Sequence, residues 1–158
     1  ERVTKLILYG GYARGWRLHP NKDIVAQNEA HLLLTRTRWG KDNPAYRQLF
    51  TSFFIPGATQ EQMDWFNELQ RITATPENAG NLLDALGDID VRHRLAQVTT
   101  PTLVIHARND ARITLPNGRE LATSIPGARM VILESRNHVP LEQEPVRGVA
   151  LPASRMFQ

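Results

Sequence analysis

Between Thr102 and Leu133 the sequence passes from one short apolar run, through a helical pattern, into a second apolar run. A connection of that kind leaves few folds open. Leu103-Val104-Ile105 and Met130-Val131-Ile132-Leu133 are of strand length and carry β-branched residues. Between them Gly118, Leu121, Ala122 and Ile125 recur at helical spacing, and Pro126-Gly127 closes the helix. A strand–helix–strand crossover of this length joins parallel strands in the right-handed sense. A further run, Lys5-Leu6-Ile7-Leu8-Tyr9, stopped by Gly10-Gly11, has the uninterrupted apolar character of a parallel strand covered on both faces. The class expected is α/β, built on three parallel strands.

The segment between the first strand and the second changes character. Ala30, Leu33, Leu34 and Thr37 share one helical face, ended near Gly40. Asn43-Pro44 is a capped start for a helix that buries Tyr46, Leu49, Phe50 and Phe53. Thr59-Gln60-Glu61-Gln62 is a capping-box pattern leading into Met63, Trp65, Phe66, Leu69 and Ile72. Thr75-Pro76 opens a last helix, with Ala79, Leu82, Leu83 and Leu86 on its face and Gly87 as its stop. The layout divides the chain into 1–14 (strand and following loop), 15–87 (a helical insertion) and 88–158 (two strands, their helix and a short tail). In that tail Val146, Val149 and Ala150 begin an amphipathic face that Gly148 weakens and Pro152 stops.

Several function classes are disfavoured. The net charge of +3 is carried mostly by arginines scattered along the chain, such as Arg14, Arg36, Arg71, Arg94 and Arg112, where nucleic-acid binding needs a stripe or run. No window reaches the roughly 18 consecutive apolar residues of a membrane span. Cysteine is absent, which removes disulfide and thiolate chemistry. His19, His31 and His93 have no acidic or histidine partner at ligand spacing, so no metal is expected. Asp88 and Asp90 read as capping or turn residues before a strand rather than as cation ligands. With no evident signal peptide, the default location is cytoplasmic.

Two residues carry a different signal. Asp110 follows the Leu103–Ile105 strand and His138 follows the Met130–Leu133 strand, so both fall beyond the carboxyl ends of parallel strands, where ligands bind in such sheets. An acid followed in the chain by a histidine matches the last two members of a nucleophile–acid–base set. On Pro101–Asp110, Asn117-Gly118-Arg119-Glu120-Leu121-Ala122, Ser135-Arg136-Asn137-His138-Val139 and the opening strand, the chain resembles the C-terminal half of an α/β-hydrolase. More narrowly, it resembles the hydrolase-like domains fused to bacterial nucleotide cyclases or helix-turn-helix regulators.

That resemblance implies a partial α/β-hydrolase fold: strand six at Lys5–Tyr9, a helical cap, strand seven at Leu103–His106 and strand eight at Met130–Leu133. Asp110 takes the acid position and His138 the general-base position. No cofactor is implied, and the substrate class is a small ester-like molecule. The sequence departs from the family in having no Gly-x-Ser-x-Gly elbow. The nucleophile and the oxyanion loops would precede Glu1, as in an excerpt from a longer chain. Ser52, Ser124, Ser135 and Ser154 do not sit on strand-to-helix elbows between glycines.

The neighbouring candidates have plainer readings. Taken alone, Asp110 in Arg-Asn-Asp-Ala-Arg is a turn residue. Asn137 reads as shaping its turn, and His106 as a buried, hydrogen-bonded histidine. Most aromatics of the insertion read as core between helices; Trp65 and Phe54, off the main stripes, are the candidates for a substrate pocket. The leading expectation is therefore the C-terminal portion of an esterase-type serine hydrolase, inactive by itself. The alternatives are a non-catalytic ligand-binding module and a truncated product that works only in an assembly. A first strand without a neighbour on its outer side exposes a pairing edge, so a homo-oligomer, or pairing with a separately encoded N-terminal half, is expected.

Overall fold

The computed structural model describes residues 2–41 and 43–142. The expected tail features at Val146, Gly148, Val149, Ala150 and Pro152, and Ser154, lie outside the described residues.

Three strands form one parallel sheet: β1 (Leu6–Tyr9), β2 (Thr102–Ala107) and β3 (Arg129–Leu133), in the order β1-β2-β3. Leu6 pairs with Thr102 and Tyr9 with Ile105 on one side of β2, while Leu103 pairs with Arg129 and Ala107 with Leu133 on the other. Between the strands come a 3-10 turn (Trp16–Leu18) and helices α1 (Lys22–Arg38), α2 (Ala45–Phe54), α3 (Gln60–Thr73), α4 (Pro76–Gly87), α5 (Arg92–Leu95) and α6 (Leu115–Ser124). The sequence reading had no counterpart for α5, which is a single turn.

The chain divides into two compact units. The first takes the residues up to Ala13, Phe54–Gly57 and those from Val91 on; the second takes Arg14–Phe53 and Ala58–Asp90. In the first unit, every residue of the central strand β2 is buried. On one face Val104 packs with Ala13, Leu95, Leu121 and Ile125; on the other Leu103 and Ile105 pack with Leu133. The alternation follows from the period of two along a strand. β1 differs from its expectation of two covered faces, because Ile7 is 54% exposed. Continuous apolar sequence records the capacity to be buried, and at Ile7 the described residues leave more than half of the residue uncovered.

In the second unit the helix starts are the ones read from sequence. Asn43 Oδ1 accepts the Ala45 amide at 2.9 Å, Thr59 and Gln62 form a complete capping box, and Thr75 accepts from the Asn78 amide. The helix faces fit less well. α1 buries His31 and Thr35 and leaves Leu33 64% exposed. Polar Thr35 is tolerated inside because its hydroxyl reaches both the His31 carbonyl and the Tyr46 hydroxyl. His31 sits among the rings of Tyr46, Phe50 and Phe53. α4 meets α1 through Ala79 and Gly80 rather than Leu82, for a Cβ on Gly80 would come within 2.6 Å of Arg36 Cγ. Small residues set that close approach, which an apolar periodicity does not record. Leu49 and Ile72 are likewise exposed, and Thr51 and Gln70, joined at 2.7 Å, are buried instead.

Candidate functional site

The chain makes a tight turn after β2. Asp110 lies past the end of that strand, and its side chain is nearly inaccessible. Its Oδ1 accepts the backbone amides of Arg112 and Ile113, each at 2.8 Å, so the carboxylate closes its own turn. Its Oδ2 lies 2.8 Å from Nδ1 of His138. The two residues singled out from sequence are therefore in direct contact.

Burial by itself pushes the Asp110 carboxyl up, but the hydrogen bond from His138, the Ile113 and Arg112 amides and the charge of His138 together outweigh it, holding the group below the usual carboxylate value. An ionised carboxylate only accepts hydrogen bonds, so Nδ1 of His138 carries the proton that joins them. In the neutral form of the ring Nε2 then holds the free lone pair, and the imidazole is one-fifth exposed. This is an orientation in which an imidazole can take a proton from a hydroxyl and return it.

Three supports fix His138. Its amide donates to the Phe54 carbonyl at 2.7 Å, and the Phe54 ring meets the imidazole edge-on with centroids 5.4 Å apart. The ring rests on Gly10, at φ 58°, where a Cβ would come within 2.8 Å of Cε1. Next to it, buried Asn137 accepts the Gly57 amide on Oδ1 at 2.7 Å, while its own amide donates to Ser135 Oγ at 3.0 Å. Asn137 thus does shape the turn. The sequence reading missed Gly10, Gly57 and the Phe54 carbonyl. The Gly10-Gly11 pair after a strand was the one signal available, and it marked a stop rather than a contact.

Phe54, one of the two pocket candidates, stands against His138, with the Arg112 guanidinium 5.9 Å from its ring centroid. Trp65 belongs to the other unit, on α3, where it is 56% exposed and lies 6.2 Å from the Phe66 ring. His106 is fully buried with Nε2 on the Ile113 carbonyl at 2.8 Å. Ser52 donates to the Leu49 carbonyl, within α2. Asp88 ends α4 and pairs with Arg17 at 2.7 Å. Among the described residues no group of three His, Asp or Glu side chains converges as metal ligands, and no helix is long and apolar enough to cross a membrane.

No family model matches the chain. Among curated proteins, RutD of Pseudomonas savastanoi pv. phaseolicola, provisionally named a carbamate hydrolase, is 34% identical over 70 residues, which are 44% of this chain and 27% of that protein. The rhodomycin D methylesterase DauP of Streptomyces sp. (strain C5) is 48% identical over 44 residues, 28% of this chain and 15% of its own. Among solved structures, the esterase EaEST from Exiguobacterium antarcticum superposes with a TM-score of 0.72 at 24% identity, covering 87% of this chain and 51% of that one. A thermophilic esterase from Thermogutta terrifontis gives a TM-score of 0.72 at 18% identity, over 99% and 58%. The chain thus spans 51% and 58% of these two structures and a smaller share of the curated relatives. Fold and comparisons together define the class: the chain is related to the α/β-hydrolase superfamily and has its fold over part of the domain.

Proposed function

We propose that this chain supplies the acid and the base of an esterase-type catalytic triad, in the C-terminal portion of an α/β-hydrolase, with the nucleophilic serine contributed from the half of the fold that these residues do not include. The observation that carries the reading is the 2.8 Å contact between Asp110 Oδ2 and His138 Nδ1, with Asp110 Oδ1 held by two backbone amides. His138 Nε2 takes the serine proton as the hydroxyl attacks an acyl carbonyl and then delivers it to the leaving alcohol. Asp110 keeps the imidazole in the useful tautomer and stabilises the imidazolium. Phe54 borders the place where a small ester would lie, and the helical unit is the cap. The methylesterase and carbamate-hydrolase names of the relatives support acyl-type substrates.

The outer edge of β1 supports association, either with a second copy or with the missing half of the fold. β1 pairs on one side with β2, and Val3 and Ile7 are each 54% exposed. Sedimentation of the 158-residue chain is expected to give a species larger than a monomer.

Catalysis is tested by comparing this chain with the longest polypeptide that its reading frame encodes, using a short-chain nitrophenyl ester. The chain alone is expected to show no turnover that depends on His138. The longer polypeptide is expected to hydrolyse the ester and to lose at least about a thousandfold with His138→Ala. Turnover of the longer protein that is indifferent to His138→Ala and Asp110→Asn would refute the assignment.

A further inference from the structure

A second histidine lies near the same carboxylate oxygen. His106 is the fifth residue of β2 and is fully buried, and its Nε2 is 3.7 Å from Asp110 Oδ2. Nε2 is also 2.8 Å from the Ile113 carbonyl, which can only accept, so Nε2 bears the proton. Nδ1 is buried without a hydrogen-bond partner, and it faces Gly118 of α6, where a Cβ would come within 2.5 Å of it. A charged imidazolium would need a partner for a second N–H at that place, so the neutral Nε2–H form is the one the surroundings accept.

The bond to Ile113 falls on the turn that holds Asp110. Ile113 is held on both sides of its Cα: its N–H, in the peptide after Arg112, points to Asp110 Oδ1, and its C=O, in the peptide before Thr114, receives the proton of His106. The neighbouring Arg112 amide points to the same Oδ1. Removing the His106 donor would release the peptide that follows Ile113, loosening the end of the turn whose two preceding amides hold Asp110 Oδ1 and so aim Oδ2 at His138.

We propose that His106 is a positioning residue for the acid–base pair, fixing the Asp110 turn through the Ile113 carbonyl so that the carboxylate meets His138. The proposal rests on the reading of Asp110 and His138 as acid and base. Its test follows proton affinity at His138 rather than turnover, so a chain that hydrolyses nothing still gives an answer. The charged and titratable groups beside the pair are His106 on β2 and Arg112 on the turn, over the Phe54 ring; Arg112 in turn acts on Tyr12 after β1, whose phenol burial raises against that charge.

The experiment is an NMR titration of the histidine side chains in the chain and in two variants. His106→Leu removes the donor, and the proton affinity of His138 is expected to fall at least about threefold, a half-unit shift of its midpoint. His106→Gln keeps an N–H for the Ile113 carbonyl and is expected to retain the wild-type midpoint. A folded His106→Leu chain with an unmoved His138 midpoint overturns the proposal, as does an equal fall in both variants. If the leucine variant does not fold, the glutamine variant decides alone: retention supports the proposal, and a threefold fall in the folded protein overturns it. The unmodified chain gives a final arm, because side-chain nitrogen shifts must place the His106 proton on Nε2 throughout the His138 titration. A proton on Nδ1 instead overturns the assignment.

Discussion

The backbone of Gly10 forms the floor beneath the His138 ring: a methyl group at Gly10 would stand 2.8 Å from Cε1 and 3.1 Å from Nδ1 of the imidazole. That residue also has φ at 58°, which L side chains rarely adopt. The end of β1 and the loop after β3 are therefore fitted to each other without room for a side chain.

Gly10→Ala is expected to be costly in two ways at once. The left-handed backbone costs about 1 kcal/mol for alanine, and displacement of the ring adds to it. We expect a fall in unfolding free energy of about 2–3 kcal/mol by urea titration. In the same variant the His138 midpoint should drop, because the ring is pushed off Asp110. A stable variant with an unchanged histidine midpoint would contradict the contact.

The acid dependence of stability has a definite sign. Asp110 is held below its ordinary value in the folded chain. Its contribution is therefore fully present above the unfolded-state value, near pH 4, and is lost as pH falls through the depressed folded value. Asp110→Asn should flatten the stability profile in that acid window and lower the His138 midpoint. Urea unfolding measured from pH 2 to pH 6 on both proteins reads the first effect directly.

Asn137→Ala removes the acceptor of the Gly57 amide in a buried place. The loss is expected to be about 1–3 kcal/mol, since an unpaired donor costs more than the bond was worth net. Thermal unfolding checks the magnitude. Hydrogen exchange should show the Gly57 amide opening first.

Thr59→Ala tests the second unit. It removes the hydroxyl that accepts the Gln62 amide at 3.3 Å in the capping box. A loss of about 1 kcal/mol is expected, with increased exchange confined to the first turn of α3.

What could be read from sequence follows the range of the interaction. Thr59 with Gln62 and Thr75 with Asn78 are contacts within a turn, and local chemistry announces them. The parallel sheet was legible because the crossover between β2 and β3 is itself sequential. Asp110 and His138 could be paired because each directly follows a strand of that sheet. The buried faces of α1 and α4 were not legible. Their packing is decided by Thr35 reaching Tyr46 and by Gly80 yielding room to Arg36, and neither leaves an apolar repeat in the sequence. The exposure of Ile7 was hidden for the same reason: it depends on what lies next to β1, not on β1.

The short return of Phe54–Gly57 to the sheet-bearing unit limits how freely this chain could be recombined. A different helical segment could be grafted between Ala13 and Val91 with β1, β2 and β3 left in register. The His138 amide would then lose the carbonyl on which it rests, and Asn137 the amide it receives. Those four residues belong with the histidine loop in any exchange, although 80 positions separate Gly57 from Asn137. For this scaffold, the unit that evolution or a designer can swap without unseating the histidine is therefore interrupted in its middle.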